Sequence, residues 1–177
     1  MSSKVFIATS LDGYIADREG KVDWLNSIPN PDGSDYGFAG FMEGLDALLM
    51  GRRTFETVCG FGGVWPYSKP VFVWSSTLQA VPDALQYKVE IVNGSVDSVL
   101  DGLHLRGFVR LYVDGGRTIQ SFLAEDLIDE LIITKIPILL GGGIPLFGVL
   151  PGPLQFEHVG TTSFSGGLVQ SNYVRKR

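Results

Sequence analysis

The sequence predicts an α/β fold with a largely parallel sheet and an antiparallel hairpin at its C-terminal end. Two patterns carry that expectation. Short apolar runs rich in β-branched residues alternate with segments of helical periodicity through the first three-quarters of the chain, as in consecutive strand–helix units. The last two apolar runs are joined by Ser165–Gly166–Gly167 alone, which leaves room for a turn and not for a helix.

The elements follow in order. Lys4–Thr9 (KVFIAT) is the first strand. Ser10–Asp23 is a polar, Gly-containing loop, continued over 24–35 by a stretch with two prolines. Tyr36–Leu45 places Phe38, Phe41, Met42 and Leu45 at i, i+3, i+4 and i+7, the stripe of a short amphipathic helix, with Asp35 as its N-cap. Ala47–Met50 is a short buried strand ending at Gly51, and a helix starts near Arg52 and runs to about Cys59. Pro70–Trp74 is a strand closed by Ser75–Ser76–Thr77, and Val89–Val92 is another. Ser95–Leu105 is a helix capped by Ser95, with Val96, Val99, Leu100 and Leu103 on its apolar side. Val109–Val113 is a strand ended by Asp114–Gly115–Gly116, and Thr118–Ala124 the helix after it. Leu127–Ile136 is a strand, and segments near 154–164 and 167–175 form the final hairpin. Gly141–Gly142–Gly143, followed by Ile144–Pro145, reads as a flexible turn. No repeat or linker interrupts the pattern, so residues 1–177 are expected to form one domain.

Composition narrows the function classes. Hydrophobic residues make up 45% of the chain and charged residues 19%, enough for a globular core. A formal net charge of −5 argues against nucleic-acid binding, which needs clustered Lys and Arg. The basic Arg175–Lys176–Arg177 end reads as a solvated tail. The single cysteine, Cys59, excludes an internal disulfide and suits a reducing compartment; it reads as a packed residue rather than a nucleophile. His104 and His158 stand far apart, and no metal site is expected. The N-terminal strand is too short for a signal-peptide core, and Leu131–Leu150 is broken by Lys135, Pro137, Pro145 and glycines, so a cytoplasmic protein is expected.

Ligands of open α/β sheets bind beyond the carboxyl ends of the strands. Three strand ends here carry groups suited to phosphate: Gly51–Arg52–Arg53–Thr54 and Asp114–Gly115–Gly116–Arg117–Thr118, each at a helix start, and Ser75–Ser76–Thr77. Helix N-termini offer free N–H groups and a favourable dipole, glycines admit close approach, and Arg, Ser and Thr add charged and short hydrogen bonds. A diphosphate plus a separate monophosphate, as in NADPH, uses all three. No G-x-G-x-x-G follows the first strand, and no phosphate-loop G-x-x-x-x-G-K-[ST] occurs.

The order SLDGYIA, DWL, LLMGRRTFE, a strand with SS, LYVDGGRTIQSFL and ITKIPILLGGGIPLF resembles the dihydrofolate reductase-like superfamily, nearest to the reductase domain of riboflavin biosynthesis and its stand-alone relatives, over about residues 3–175. The resemblance implies a three-layer α/β/α fold with a mixed sheet of eight or nine strands, with NADPH lying across the strand ends. It assigns Gly51, Arg52, Arg53 and Thr54 to the adenosine-side phosphates, and Ser75 and Ser76 to the 2′-phosphate. Gly115 and Gly116, often joined by a cis peptide in the family, fall beside the nicotinamide and diphosphate, with Arg117, Thr118 and Ile119 following at the diphosphate. Ala8, Ile15 and Ala16 match positions that line the nicotinamide.

On the substrate side the residues leave alternatives open. Asp35 matches the family's substrate-orienting carboxylate and equally suits a helix N-cap. Asp12 points into the site or makes an Asp–Gly turn. Trp24 touches substrate or closes the core, and Trp65 and Tyr67 border the cofactor or pack inward. The absence of basic residues from 25–45 speaks against dihydrofolate, and from 25–35 against a ribose-phosphate-bearing pyrimidine. The expectation is an NADPH-dependent reductase of a small pterin- or aminopyrimidine-like heterocycle, and a homodimer as in many relatives. A non-catalytic nucleotide-binding module of the same fold is the alternative.

Overall fold

The central sheet has strand order β5-β4-β3-β6-β1-β7-β10-β9 in a computed structural model that describes residues 1–177. The strands are β1 (Ser2–Thr9), β3 (Ala47–Gly51), β4 (Val71–Trp74), β5 (Val89–Val92), β6 (Arg110–Asp114), β7 (Glu130–Lys135), β9 (Phe156–Phe164) and β10 (Leu168–Arg175); β2 (Tyr14–Ala16) and β8 (Ile144–Pro145) pair separately. From β5 to β7 every neighbour is parallel, while β10 runs antiparallel to both β7 and β9. This is the expected α/β architecture, a mostly parallel sheet with an antiparallel C-terminal hairpin. The parallel strands therefore all end on one edge.

Strand alternation builds two cores. On one face Val5, Ala47, Leu49, Phe72, Leu111 and Val113 meet α3 (Val96–Leu105) and α4 (Gly116–Ala124) through Leu103, Ile119 and Phe122. On the other, Leu48, Met50, Val71, Val73 and Tyr112 meet Met42 of α1 (Phe38–Glu43) and Phe55 of α2 (Arg52–Gly60). Period-2 side chains buried on both faces make each central strand a continuous apolar run. Each fully buried Leu or Phe contributes about 2 kcal/mol.

Several expectations need correction. The first helix spans only Phe38–Glu43, because Tyr36 (φ 56) and Gly37 (φ 87) are left-handed and cannot continue it backwards. The strand expected over Leu127–Ile136 begins at Glu130, since Asp126 (φ 54) and the bond from Leu127 N–H to Phe122 O form the turn that ends α4. The loop Ser10–Asp23 contains β2, and the supposed flexible turn after Gly143 contains its partner β8; a 3₁₀ turn covers Asp23–Ser27. Cys59 is exposed on the last turn of α2 rather than packed. All peptide bonds are trans, Gly115–Gly116 included. Ser95 caps α3 as expected, accepting a bond from Ser98 N–H at 3.3 Å. No helix is long and apolar enough to cross a membrane.

At the sheet edge opposite the strand C-termini, Asp46 ties β3 to β6. Its carboxylate accepts from Val109 N–H (3.0 Å), Arg110 N–H (2.8 Å) and Arg110 Nη2 (2.6 Å). These bonds, the Arg110 side chain's above all, hold its pKa down to about 2 from an ordinary 3.8. A depressed folded-state pKa stabilises above the unfolded value and is lost as pH falls towards the folded one. Asp46→Ala is expected to cost about 2 kcal/mol at neutral pH, by orphaning two backbone donors. The deficit against wild type should shrink between pH 4 and pH 2 in denaturant titrations.

Candidate functional site

The carboxyl ends of β3 and β6 interlock through their glycines. A Cβ on Gly115 would stand 2.3 Å from Thr54 Oγ1, and one on Gly51 would stand 3.0 Å from Thr118 Oγ1. Each strand-end glycine thus receives the threonine of the other motif. Gly115 has φ 93 and ψ 139, a conformation that side-chain-bearing residues rarely adopt. The contact sets the starts of α2 and α4 side by side. Neither helix has a side-chain cap, so the first N–H groups of both face the same cleft unspent. Two nine-residue helices with adjacent uncapped N-termini form a cradle for a diphosphate.

The third motif lies next to this cradle. Arg52 reaches from α2 to Thr77, Nη1 to Oγ1 at 3.0 Å, while its Nε pairs with Glu56 at 2.6 Å. Arg52 and Glu56 are each about half exposed, and such a surface ion pair is weak, so Arg52 is easily shared with an anion. Ser75 accepts from the N–H groups of Thr77 (3.2 Å) and Leu78 (3.0 Å), which folds the turn and presents exposed Ser76 and Thr77 beside Arg52. Arg53 and Arg117 are exposed, each at the start of its helix.

The β2–β8 ribbon covers the cradle. Ile15 Cδ1 lies 2.9 Å from where a Gly116 Cβ would sit, and Ile144 Cγ2 lies 3.3 Å from it. Ala8 is half-buried at the end of β1, opposite Thr134, while Ala16 is buried. Ile119 does not face the cleft. It is fully buried in the core, and its N–H is spent on Gly115 O at 2.9 Å, so it supports the glycine turn from below.

The expected substrate-side carboxylates are committed elsewhere. Asp35 is exposed, and its two oxygens accept from Ala39 N–H (2.8 Å) and Gly37 N–H (2.9 Å), bonds that lower its pKa and brace the turn before α1; the N-cap itself is Gly37, not Asp35 as expected. Asp12 is exposed as well. It accepts from Ser10 Oγ (2.6 Å), Leu140 N–H (3.2 Å) and Gly141 N–H (2.8 Å), pinning the loop after β1 to the triglycine turn. Trp24 is half-buried in the 3₁₀ turn, and its indole N–H has no protein acceptor.

A further carboxylate at the strand ends is Asp114, the half-buried last residue of β6. Burial pushes its pKa up to about 6, against the bond it accepts from Gly115 N–H at 2.8 Å. Tyr112, which donates to Phe6 O at 2.9 Å, and Tyr67 flank it; burial first, then the Asp114 charge, raises both phenols. Its signal in the sequence is an acid directly after the apolar Leu111–Val113, where it also reads as the first residue of the glycine motif.

The family model described as the RibD C-terminal domain matches residues 4–170. The uncharacterised protein YwjB of Bacillus subtilis is 36% identical over 174 residues, covering 97% of this chain and 96% of that protein. A crystal structure from Shewanella sp. PV-4, provisionally described as a riboflavin biosynthesis protein, is similar with a TM-score of 0.96 at 53% identity over 100% of both chains. The diaminohydroxyphosphoribosylaminopyrimidine deaminase/5-amino-6-(5-phosphoribosylamino)uracil reductase of Thermotoga maritima shares the fold at TM-score 0.75 and 17% identity, over 99% of this chain and 56% of that one. Enterococcus faecalis dihydrofolate reductase, complexed with NADP(H) and RAB-propyl, shares it at 0.67 and 19%, over 99% and 97%.

The interlock makes a direct prediction. Gly115→Ala meets both the 2.3 Å contact and a forbidden φ, and should destabilise the fold by about 1–3 kcal/mol. Adding Thr54→Ala should recover only part of that loss in thermal melts, because the backbone strain remains.

Proposed function

The chain belongs to the RibD C-terminal domain family, and from that premise we propose that it is an NADPH-dependent reductase delivering hydride to a pterin- or aminopyrimidine-like heterocycle. The observation that carries the reading is the pair of uncapped helix N-termini held together by Gly51–Thr118 and Gly115–Thr54. The cradle fits a diphosphate, and Arg52 with Ser76 and Thr77 fits a 2′-phosphate. The Thermotoga deaminase/reductase and the NADP(H) complex of Enterococcus dihydrofolate reductase, which share the fold, support the same reading.

NADPH, when bound, supplies the hydride; the protein's part is to hold, orient and protonate. Gly116, Arg117 and the α2 N-terminus hold the diphosphate. Ile15, Ala16 and Ala8 bound the nicotinamide end. Asp114 is the group we assign to the substrate: a carboxyl with a pKa near 6 sits where a general acid is efficient at neutral pH. Trp24's unpaired indole N–H is available to a substrate acceptor. We also propose that the protein is a homodimer. The exposed Leu139 (70%), after β7, and Val159 (61%), on β9, support this, and light scattering tests it.

Calorimetry should show NADPH binding more tightly than NADH. Arg52→Ala should weaken NADPH by about tenfold and leave NADH within about twofold, as for one charge-assisted bond. Equal weakening of both would remove Arg52 from the 2′-phosphate. Tight NADPH binding with no oxidation across pterin, pyrimidine and quinone substrates would favour the non-catalytic module.

Asp114 is tested by pH. Turnover should fall as pH rises through about 6, where the carboxyl loses its proton, and Asp114→Asn should lower it by about 100-fold while sparing NADPH affinity. The same group reads out without substrate. Its folded pKa of about 6 exceeds the ordinary 3.8, so the folded state keeps the proton longer and stability falls as pH climbs between the two. Asp114→Asn should lack that fall in melting curves from pH 4 to pH 7.

A further inference from the structure

Gln170, near the start of β10, carries an acceptor that nothing in the protein fills. Strand alternation shows which face it shares. Val5, Ile7, Val113, Leu131 and Ile133 pack toward α3 and α4, so Ala8, Asp114 and Thr134 lie on the opposite face. Thr134 stands opposite Ala8 of β1 on one side and opposite Gln170 on the other. Asp114, Ala8, Thr134 and Gln170 thus form a row across four neighbouring strands, on the face covered by α1 and α2.

Gln170 is half-buried, and its amide is fixed by the donor end. Nε2 donates to Thr134 Oγ1 at 3.0 Å and to Tyr36 O at 3.1 Å. The amide cannot be reversed, because Tyr36 O is a carbonyl and only accepts. Oε1 accepts from no protein group, yet it is not one of the orphan polar atoms sealed from solvent. One end of the amide is locked, and the other is presented as an open acceptor.

The surrounding backbone is held firmly. Tyr36 is a bulky residue in the left-handed region, at φ 56, a conformation that persists only where neighbouring structure enforces it. Its ring meets Phe164 edge-on with centroids 5.1 Å apart, and Ser165 Oγ donates to Asp32 at 2.7 Å. A Cβ on Gly166 would stand 2.8 Å from Ile28 Cγ2. The loop over 28–36 is therefore clamped onto the β9–β10 hairpin, and Gln170 ties its end to β7.

We propose that Gln170 is a specificity residue for the substrate, with Oε1 accepting from an N–H or amino group at the end of the ring remote from Asp114. This rests on the reading of the cleft as a reductase site. Three strand spacings of about 4.8 Å separate β6 from β10, and a flat heterocycle spans that gap by taking a hydrogen bond of about 2.9 Å at each end. Ala8, on the strand between them, is small enough to leave the floor flat. The acceptor is a neutral amide, so it suits an uncharged N–H. A protonated amidine gains most from a carboxylate, and Gln170 offers none. The cleft selects a neutral aminopyrimidinone over a cationic diaminopyrimidine.

The test uses the full chain saturated with NADP+ and two ring probes, 5,6-diaminouracil and 2,4-diaminopyrimidine, titrated calorimetrically at about pH 6. Gln170→Met keeps the side-chain length and removes the acceptor. It should weaken 5,6-diaminouracil by about tenfold, as for one hydrogen bond, with NADP+ affinity within about twofold of wild type. Gln170→Glu keeps an acceptor and adds charge. It should bind protonated 2,4-diaminopyrimidine about tenfold more tightly than wild type does. Both variants lose the Nε2 bonds, so a purely structural role would weaken both probes in both variants. That outcome overturns the proposal, as does 5,6-diaminouracil affinity within about twofold of wild type in Gln170→Met. If Gln170→Met does not fold, Gln170→Glu decides alone, and no gain for 2,4-diaminopyrimidine overturns the proposal. Wild-type protein that binds NADP+ but not 5,6-diaminouracil also overturns it and leaves the cofactor site standing. Wild-type protein that binds neither NADP+ nor NADPH removes the reductase reading and this one with it.

Discussion

The reciprocal contact of two glycines with two threonines determines where everything else at the strand ends can be. Gly51 and Gly115 end adjacent parallel strands, and the missing Cβ atoms let Thr118 and Thr54 close across them. A larger residue at either glycine would push the helix starts apart. With the contact in place, two sets of unspent N–H groups converge on one cleft, and their dipoles add. An anion there is stabilised by backbone geometry before any side chain contributes. That explains how a chain with net charge −5 can build an anion site with only three arginines near it.

The same crowding shapes the acid. Asp114 follows Val113 on β6 and precedes the Gly115 turn, so its carboxylate is pressed between desolvation and a helix N-terminus. Desolvation dominates and raises its pKa; the Gly115 N–H bond opposes it. A phosphate bound at the α4 start would add negative charge nearby and raise the pKa further, favouring the protonated form. Binding at the cradle and proton holding at Asp114 are therefore coupled through a single turn of backbone.

Legibility in the sequence followed the physics of each feature. The central strands were readable because burial on both faces leaves short apolar runs, as in Ala47–Met50 and Leu111–Val113. The cradle was readable because glycines at helix starts are local. The β2–β8 ribbon was not, because its two halves lie about 130 residues apart in the chain, one reading as a polar loop and the other as a glycine turn. Asp35 and Asp12 were ambiguous for a related reason. A carboxylate in a loop serves backbone donors or a ligand with the same atoms, and only the positions of Gly37, Ala39, Leu140 and Gly141 decide which. Both turned out to serve the backbone. Ile119 belonged to a cofactor motif by position but to the core by helical phase.

The two sides of the cleft differ in kind. The cofactor side is made of main chain, and main chain that must approach a ligand demands glycine, which leaves a mark in the sequence. The proposed substrate side draws on side chains from β6, the loop around Tyr67 and the 3₁₀ turn at Trp24. None of these residues is required by local geometry to be what it is. Asp114 and Tyr67 are half-buried polar groups, a placement that costs stability unless they are partnered. Residues kept where packing does not ask for them are the ones that chemistry accounts for, so the substrate is to be sought through the groups that complement an acid with a pKa near 6 flanked by two phenols.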